Sequence, residues 1–143
     1  MSMDGGNLLG IPTATLESAR VWARRCGAAR LREVDQYFHE LWRLATRLGY
    51  DPAIVAAQAS LETEGWTSSL WRERLNPARL GISDVVDIGV CFSTGVDAAR
   101  AHLVHLSAYA RGYDRRLQPF LRLDPAWQEV FAAGSAGRAK TVG

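Results

Sequence analysis

The chain has 143 residues, 48% hydrophobic and 22% charged, with 17 basic against 15 acidic side chains and a formal net charge of +2. That profile fits one soluble globular domain with its own core, and it excludes a disordered chain or one built around membrane spans. No stretch reaches the roughly 20 apolar residues that a bilayer-crossing helix needs, and no repeat is long enough for a solenoid.

Residues 1–12, MSMDGGNLLGIP, are Gly-rich and end in Pro12. They lack the basic and apolar regions of a secretion signal and read as a flexible arm, so delivery by another route, a mature fragment or action inside the cell is expected. Thr13 or Thr15 can cap a first helix through about Cys26, with Leu16, Ala19, Val21 and Trp22 as its apolar residues. The spacing of Val34, Phe38, Leu41, Ala45 and Leu48 predicts a second helix from Leu31 to Leu48, stopped by Gly49. Asp51-Pro52 is a helix start, because the carboxylate accepts from free backbone N–H groups and proline needs no donor in the first turn. The third helix then runs to about Glu64, with Glu62 at the border of its apolar face.

Gly65 interrupts the pattern, and Thr67, Ser68 or Ser69 can cap a short helix through Leu75. Asn76-Pro77 marks a turn. Residues 82–92 are rich in β-branched side chains and predict a very small β or extended segment. Thr94 with Asp97 resembles a capping box, and Val96, Ala99, Leu103, Leu106 and Ala110 form the stripe of the helix behind it. Asp124-Pro125 repeats the start signal ahead of Trp127, Val130 and Phe131, and residues 134–143 read as a flexible tail. The expectation is therefore a mainly α domain over residues 13–133. Trp22, Phe38, Trp42 and Trp127 are expected in its core. Cys26 and Cys91 have no CxxC spacing and are expected to be free and half-buried.

The run AQASLETEGWTSSLWRERLNPARLGI, residues 57 to 82, resembles the glucosaminidase domain of the family 73 glycoside hydrolases. The shared elements are Ala57, Gln58, Ala59 and Glu62, then Gly65 and Trp66, then Ser69, Asn76, Gly81 and Ile82. With the stretch from Phe92 through His102 to Tyr109, the resemblance covers roughly residues 50 to 113. It implies a lysozyme-like helical fold, hydrolysis of peptidoglycan after N-acetylglucosamine, and Glu62 as the catalytic carboxyl. Two family features differ here. The β region before Phe92 is shorter, and the Tyr-Ala-Thr-Asp-Pro element that places a tyrosine by the cleft is absent, so either the sequence is truncated, another residue such as Tyr109 or Tyr113 takes that role, or activity is reduced.

Glycoside hydrolysis needs a carboxylic acid that delivers a proton to the leaving oxygen, and apolar burial keeps such a group protonated. Glu62 between Leu61 and Trp66 suits that task, whereas Glu64 points to roughly the opposite side of the helix. Asp84 and Asp87 are the candidates for a second carboxylate, unless the substrate's own acetamido group assists. Sugars stack on aromatic faces and bond to polar side chains, so Trp66, Trp71, Tyr109 and Tyr113 are candidate platforms and Gln58, Ser69, Asn76 and His102 candidate polar contacts. His102 and His105 lack a third ligand, so neither a metal nor another cofactor is expected.

Arg20, Arg24, Arg25, Arg30 and Arg32 form a basic cluster, but Glu33 and Asp35 follow it and no nucleic-acid recognition motif appears. The expected partner is a peptidoglycan glycan strand met by a monomer at the bacterial cell wall, as in a phage lysis enzyme, a phage tail component or an autolysin. A muramidase, a lytic transglycosylase and a non-catalytic wall-binding domain are the alternatives.

Overall fold

A computed structural model describes residues 14–112 and 114–124. They are mainly helical. The elements are α1 (Leu16–Arg25), α2 (Leu31–Leu48), α3 (Pro52–Thr63), α4 (Ser69–Arg74), α5 (Gly95–Ala110) and a 3-10 helix (Arg115–Leu123). None of these helices is long and apolar enough to cross a membrane. The arm, the tail and the helix expected after Asp124-Pro125, with Trp127, lie outside the described residues.

Local chemistry sets the helix ends. The hydroxyl of Thr15 accepts from the Ser18 N–H, the carboxylate of Asp51 from the Ala53 N–H, and the hydroxyl of Thr94 from the Asp97 N–H. Each satisfies a donor that the first turn leaves open. Gly49 ends α2 at a φ of 83°, in the left-handed region where a Cβ is disfavoured. The 3-10 helix carries Pro119 and was not expected from apolar spacing.

The principal packing is α2 against α5. Val34, Phe38, Leu41, Ala45 and Leu48 are all buried, as the three- and four-residue spacing requires. Gly95 lets α5 begin close against α2: a Cβ there would stand 2.0 Å from the Glu33 carbonyl oxygen. Burial of each large apolar side chain in this core stabilises the fold by roughly 1.5–3 kcal/mol.

One charged group lies within the interface. Glu40 is buried and accepts from Arg43 at 2.7 Å and from Arg100 at 2.6 Å. Burial alone would raise its pKa, but the two guanidinium hydrogen bonds outweigh that effect and hold it below the ordinary carboxylate value.

The β element within residues 82–92 is very small. Ile82 and Asp87 form a single antiparallel bridge, and the Ser83 hydroxyl accepts from the Val86 N–H at 3.1 Å to close the turn. Val85, Val86 and Ile88 are exposed, so their β-branched shape signalled an extended backbone but not burial. Cys26 and Cys91 are free, but both are exposed rather than half-buried. The basic cluster is largely matched by acid: Arg20 and Arg24 reach Asp35 at 3.1 and 3.3 Å, and Arg30 reaches Glu33 at 2.8 Å.

Candidate functional site

Glu62 sits in the last turn of α3, one turn beyond Gln58, and residues at this spacing are neighbours on a helix surface. Its side chain is 36% exposed and its Oε2 lies 3.8 Å from Arg79 Nε. The apolar shield expected from Leu61 and Trp66 is not built. Leu61 is 77% exposed and Trp66 is fully buried, packed edge-on against Trp22 and Phe38 with ring centroids 5.5 and 5.0 Å away. The helix stops at Thr63, and Glu64 turns into the left-handed region and is exposed.

Behind Gln58 stands a buried polar chain. The Tyr37 hydroxyl is 2.8 Å from His102 Nδ1, and His102 Nε2 is 3.0 Å from Gln58 Oε1. Tyr37 and His102 are wholly buried, and Gln58 at the outer end is partly exposed. Burial pushes the His102 pKa from 6.5 to about 3, so its imidazole is neutral at ordinary pH. Burial likewise raises the Tyr37 hydroxyl well above its usual value.

Three other residues expected at the ligand are committed to the structure instead. Trp66 belongs to the core, although its Nε1 has no partner among the described residues. Trp71 is also fully buried, and its Nε1 donates to the Ala29 carbonyl at 3.0 Å. Asn76 is buried, with Oδ1 accepting from the Leu80 N–H at 2.9 Å and Nδ2 donating to the Leu80 carbonyl at 2.9 Å. Asn76 thus closes the loop that carries Arg79 toward Glu62, a positioning task rather than a ligand contact. His102 is likewise too deep to touch a ligand directly. Short aromatic and polar runs cannot separate these cases, because a core face and a cleft face share the same helical spacing.

The two aspartates are both exposed. Asp87 accepts from Arg74 at 2.8 and 2.9 Å, and its Oδ1 also accepts from the Gly89 N–H. The Arg74 hydrogen bond, followed by that of Gly89, holds its pKa below the ordinary carboxylate value. Arg79 also acts electrostatically on Asp87, so this arginine is shared between the hairpin and Glu62. Ser69 is exposed at the start of α4. Tyr109 is partly exposed with its ring 5.0 Å from that of His105, and His105 Nδ1 lies 2.8 Å from Asp124 Oδ2. Tyr113 lies outside the described residues.

Sequence reasoning missed Tyr37, Arg74 and Arg79. None belongs to a recognisable local pattern, and Tyr37 meets His102 only through the pairing of α2 with α5.

Two cavities lie away from Glu62. One of about 440 Å³ opens on the other flank of α3, lined by Ser18, Trp22, Trp42, Ala57, Ser60 and Leu61 among others. The second, of about 400 Å³, includes Cys91, Phe92, Asp97 and Arg122. Among the described residues, no three His, Cys, Asp or Glu side chains converge as a metal set. Comparisons with family models, with curated proteins and with solved structures find no match.

Proposed function

We propose that this chain is a lysozyme-like helical domain that cleaves the glycan of peptidoglycan after N-acetylglucosamine, with Glu62 as the proton donor. The observation that carries the reading is the pair formed by Glu62 and Gln58. A partly exposed carboxyl group stands one turn from an amide that meets the buried His102 imidazole at 3.0 Å. Glu62 protonates the glycosidic oxygen as the bond to C1 breaks.

A one-carboxylate route fits these residues best. Asp87 has both oxygens bound to Arg74, and Asp84 is exposed on the same hairpin. In that route the acetamido oxygen of the sugar bonds to C1 as the glycosidic C1–O bond breaks and the leaving oxygen takes the proton from Glu62. Water then attacks C1, the bond from C1 to the acetamido oxygen breaks to regenerate the acetamide, and the water's proton passes to the Glu62 carboxylate and restores the acid. A transglycosylase would use the same carboxyl, and its anhydro product separates it from the hydrolase.

A second reading has an observation of its own. Two indoles and two serine hydroxyls line the cavity on the opposite flank of α3, a combination suited to holding a sugar without cleaving it. Turbidity of purified peptidoglycan, followed with the native chain, Glu62→Gln and Trp42→Ala, separates the two. Clearing abolished by Glu62→Gln, with wall binding retained, supports cleavage. Wall binding without clearing by the native chain, lost in Trp42→Ala, supports the binding domain and overturns the first reading.

A further inference from the structure

We infer that Tyr37 and His102 are positioning residues that lock the Gln58 amide with its NH2 group outward, so that the surface one turn before Glu62 accepts only a ligand oxygen. The inference deepens the reading of Glu62 as the reacting carboxyl and rests on that reading for its catalytic consequence, though not for its geometry.

Two arrangements satisfy the distances in the chain of three side chains. In the first, the Tyr37 hydroxyl donates to Nδ1, and Nε2–H of His102 donates to Gln58 Oε1. In the second, Nδ1–H donates to the Tyr37 oxygen, and the Gln58 amide is reversed to donate to a bare Nε2. The second leaves the Tyr37 hydroxyl proton without an acceptor, because His102 is the hydroxyl's hydrogen-bond partner among the described residues and the residue is wholly buried. An unmet buried donor is costly enough to decide between the two. The first arrangement therefore prevails, and the neutral state of His102 preserves it.

Its consequence appears at the surface. With Oε1 held by His102, the amide nitrogen is the polar end of the partly exposed Gln58 left for a ligand, and it is not among the buried polar atoms lacking a partner. Two N–H donors thus stand beside Glu62, one turn away. They favour a carbonyl oxygen, a pure acceptor, over a hydroxyl that must also place its own proton, and they reject another donor. On an amino-sugar glycan, the acetamido carbonyl is the acceptor that suits them.

The test begins with protein labelled with nitrogen-15 in histidine. The His102 nitrogen signals should show a protonated Nε2 and a bare Nδ1 in the native chain. Tyr37→Phe, which keeps the ring but removes the hydroxyl, should give a mixture of the two tautomers. A native chain with its proton on Nδ1, or a Tyr37→Phe spectrum identical to the native one, overturns the inference. The second measurement is affinity in the Glu62→Gln background for an N-acetylglucosamine oligomer and for a glucose oligomer of equal length. Gln58→Ala should weaken binding of the first by about tenfold, one hydrogen bond's worth, and leave the second unchanged. Equal weakening of both, or no binding of either, removes the acceptor-selecting role. Failure of the native chain to cleave any wall glycan, with tautomer and discrimination as stated, refutes the catalytic reading and leaves the positioning inference standing.

Discussion

His102 Nε2 lies 3.0 Å from Gln58 Oε1, a hydrogen bond that ties the middle of α5 to the face of α3 bearing Glu62. Their positions are 44 residues apart in the chain, and the pairing of α2 with α5 brings the third member, Tyr37, against the other ring nitrogen. A histidine in such a place couples the acid stability of the fold to the geometry beside Glu62.

That coupling has a defined sign. The His102 pKa is about 3 in the folded chain against 6.5 ordinarily, so between these values the unfolded chain binds a proton that the folded chain does not. The contribution is fully present above the ordinary value and is lost as pH falls toward the folded value, at about 1.4 kcal/mol per pH unit. Urea unfolding of the native chain and of His102→Gln at a series of pH values should show the native curve falling more steeply below pH 6.5. Parallel curves would contradict the burial of a neutral imidazole.

Gly95→Ala should destabilise the fold severely. The new Cβ would meet the Glu33 carbonyl oxygen at 2.0 Å and the Tyr37 nitrogen at 2.7 Å, both backbone atoms that cannot rotate away. Overpacking of this kind costs about 3 kcal/mol or more, equivalent to roughly 10 °C in melting temperature. Thermal unfolding followed by circular dichroism checks it, and an unchanged midpoint would mean that α5 is not seated on α2 as described.

Trp66→Ala and Trp71→Ala should behave as core substitutions. Each side chain is wholly buried, and truncation of a buried tryptophan costs about 3–5 kcal/mol. Denaturant titration should show that loss, while the folded fraction of each variant keeps the native affinity for an N-acetylglucosamine oligomer. A selective loss of affinity at native stability would return these indoles to the glycan surface.

The helices were legible in the sequence because their signals are local. Thr15, Asp51 and Thr94 cap where their positions before apolar runs indicate, and α2 runs from Leu31 to Leu48 as its spacing predicts. The surroundings of the site were not legible. Leu61 and Trp66 flank Glu62 in sequence, yet one faces solvent and the other the core, because α3 ends at Thr63 and the chain then passes through left-handed residues at Glu64, Gly65 and Trp66. Asn76 has its polar group spent within its own loop, and Arg79 reaches Glu62 only once that loop closes. Such outcomes depend on tertiary packing, which residue spacing does not encode.

The most direct measurement of the proposed chemistry is the identity of the sugar termini released from purified peptidoglycan, read by mass spectrometry after borohydride reduction, for the native chain and for Glu62→Gln. New reducing N-acetylglucosamine ends from the native chain, absent with Glu62→Gln, are the predicted result. Reducing or anhydro muramic ends would reassign the bond that is cut, and no new termini from the native chain would contradict the assignment of Glu62 as a catalytic acid.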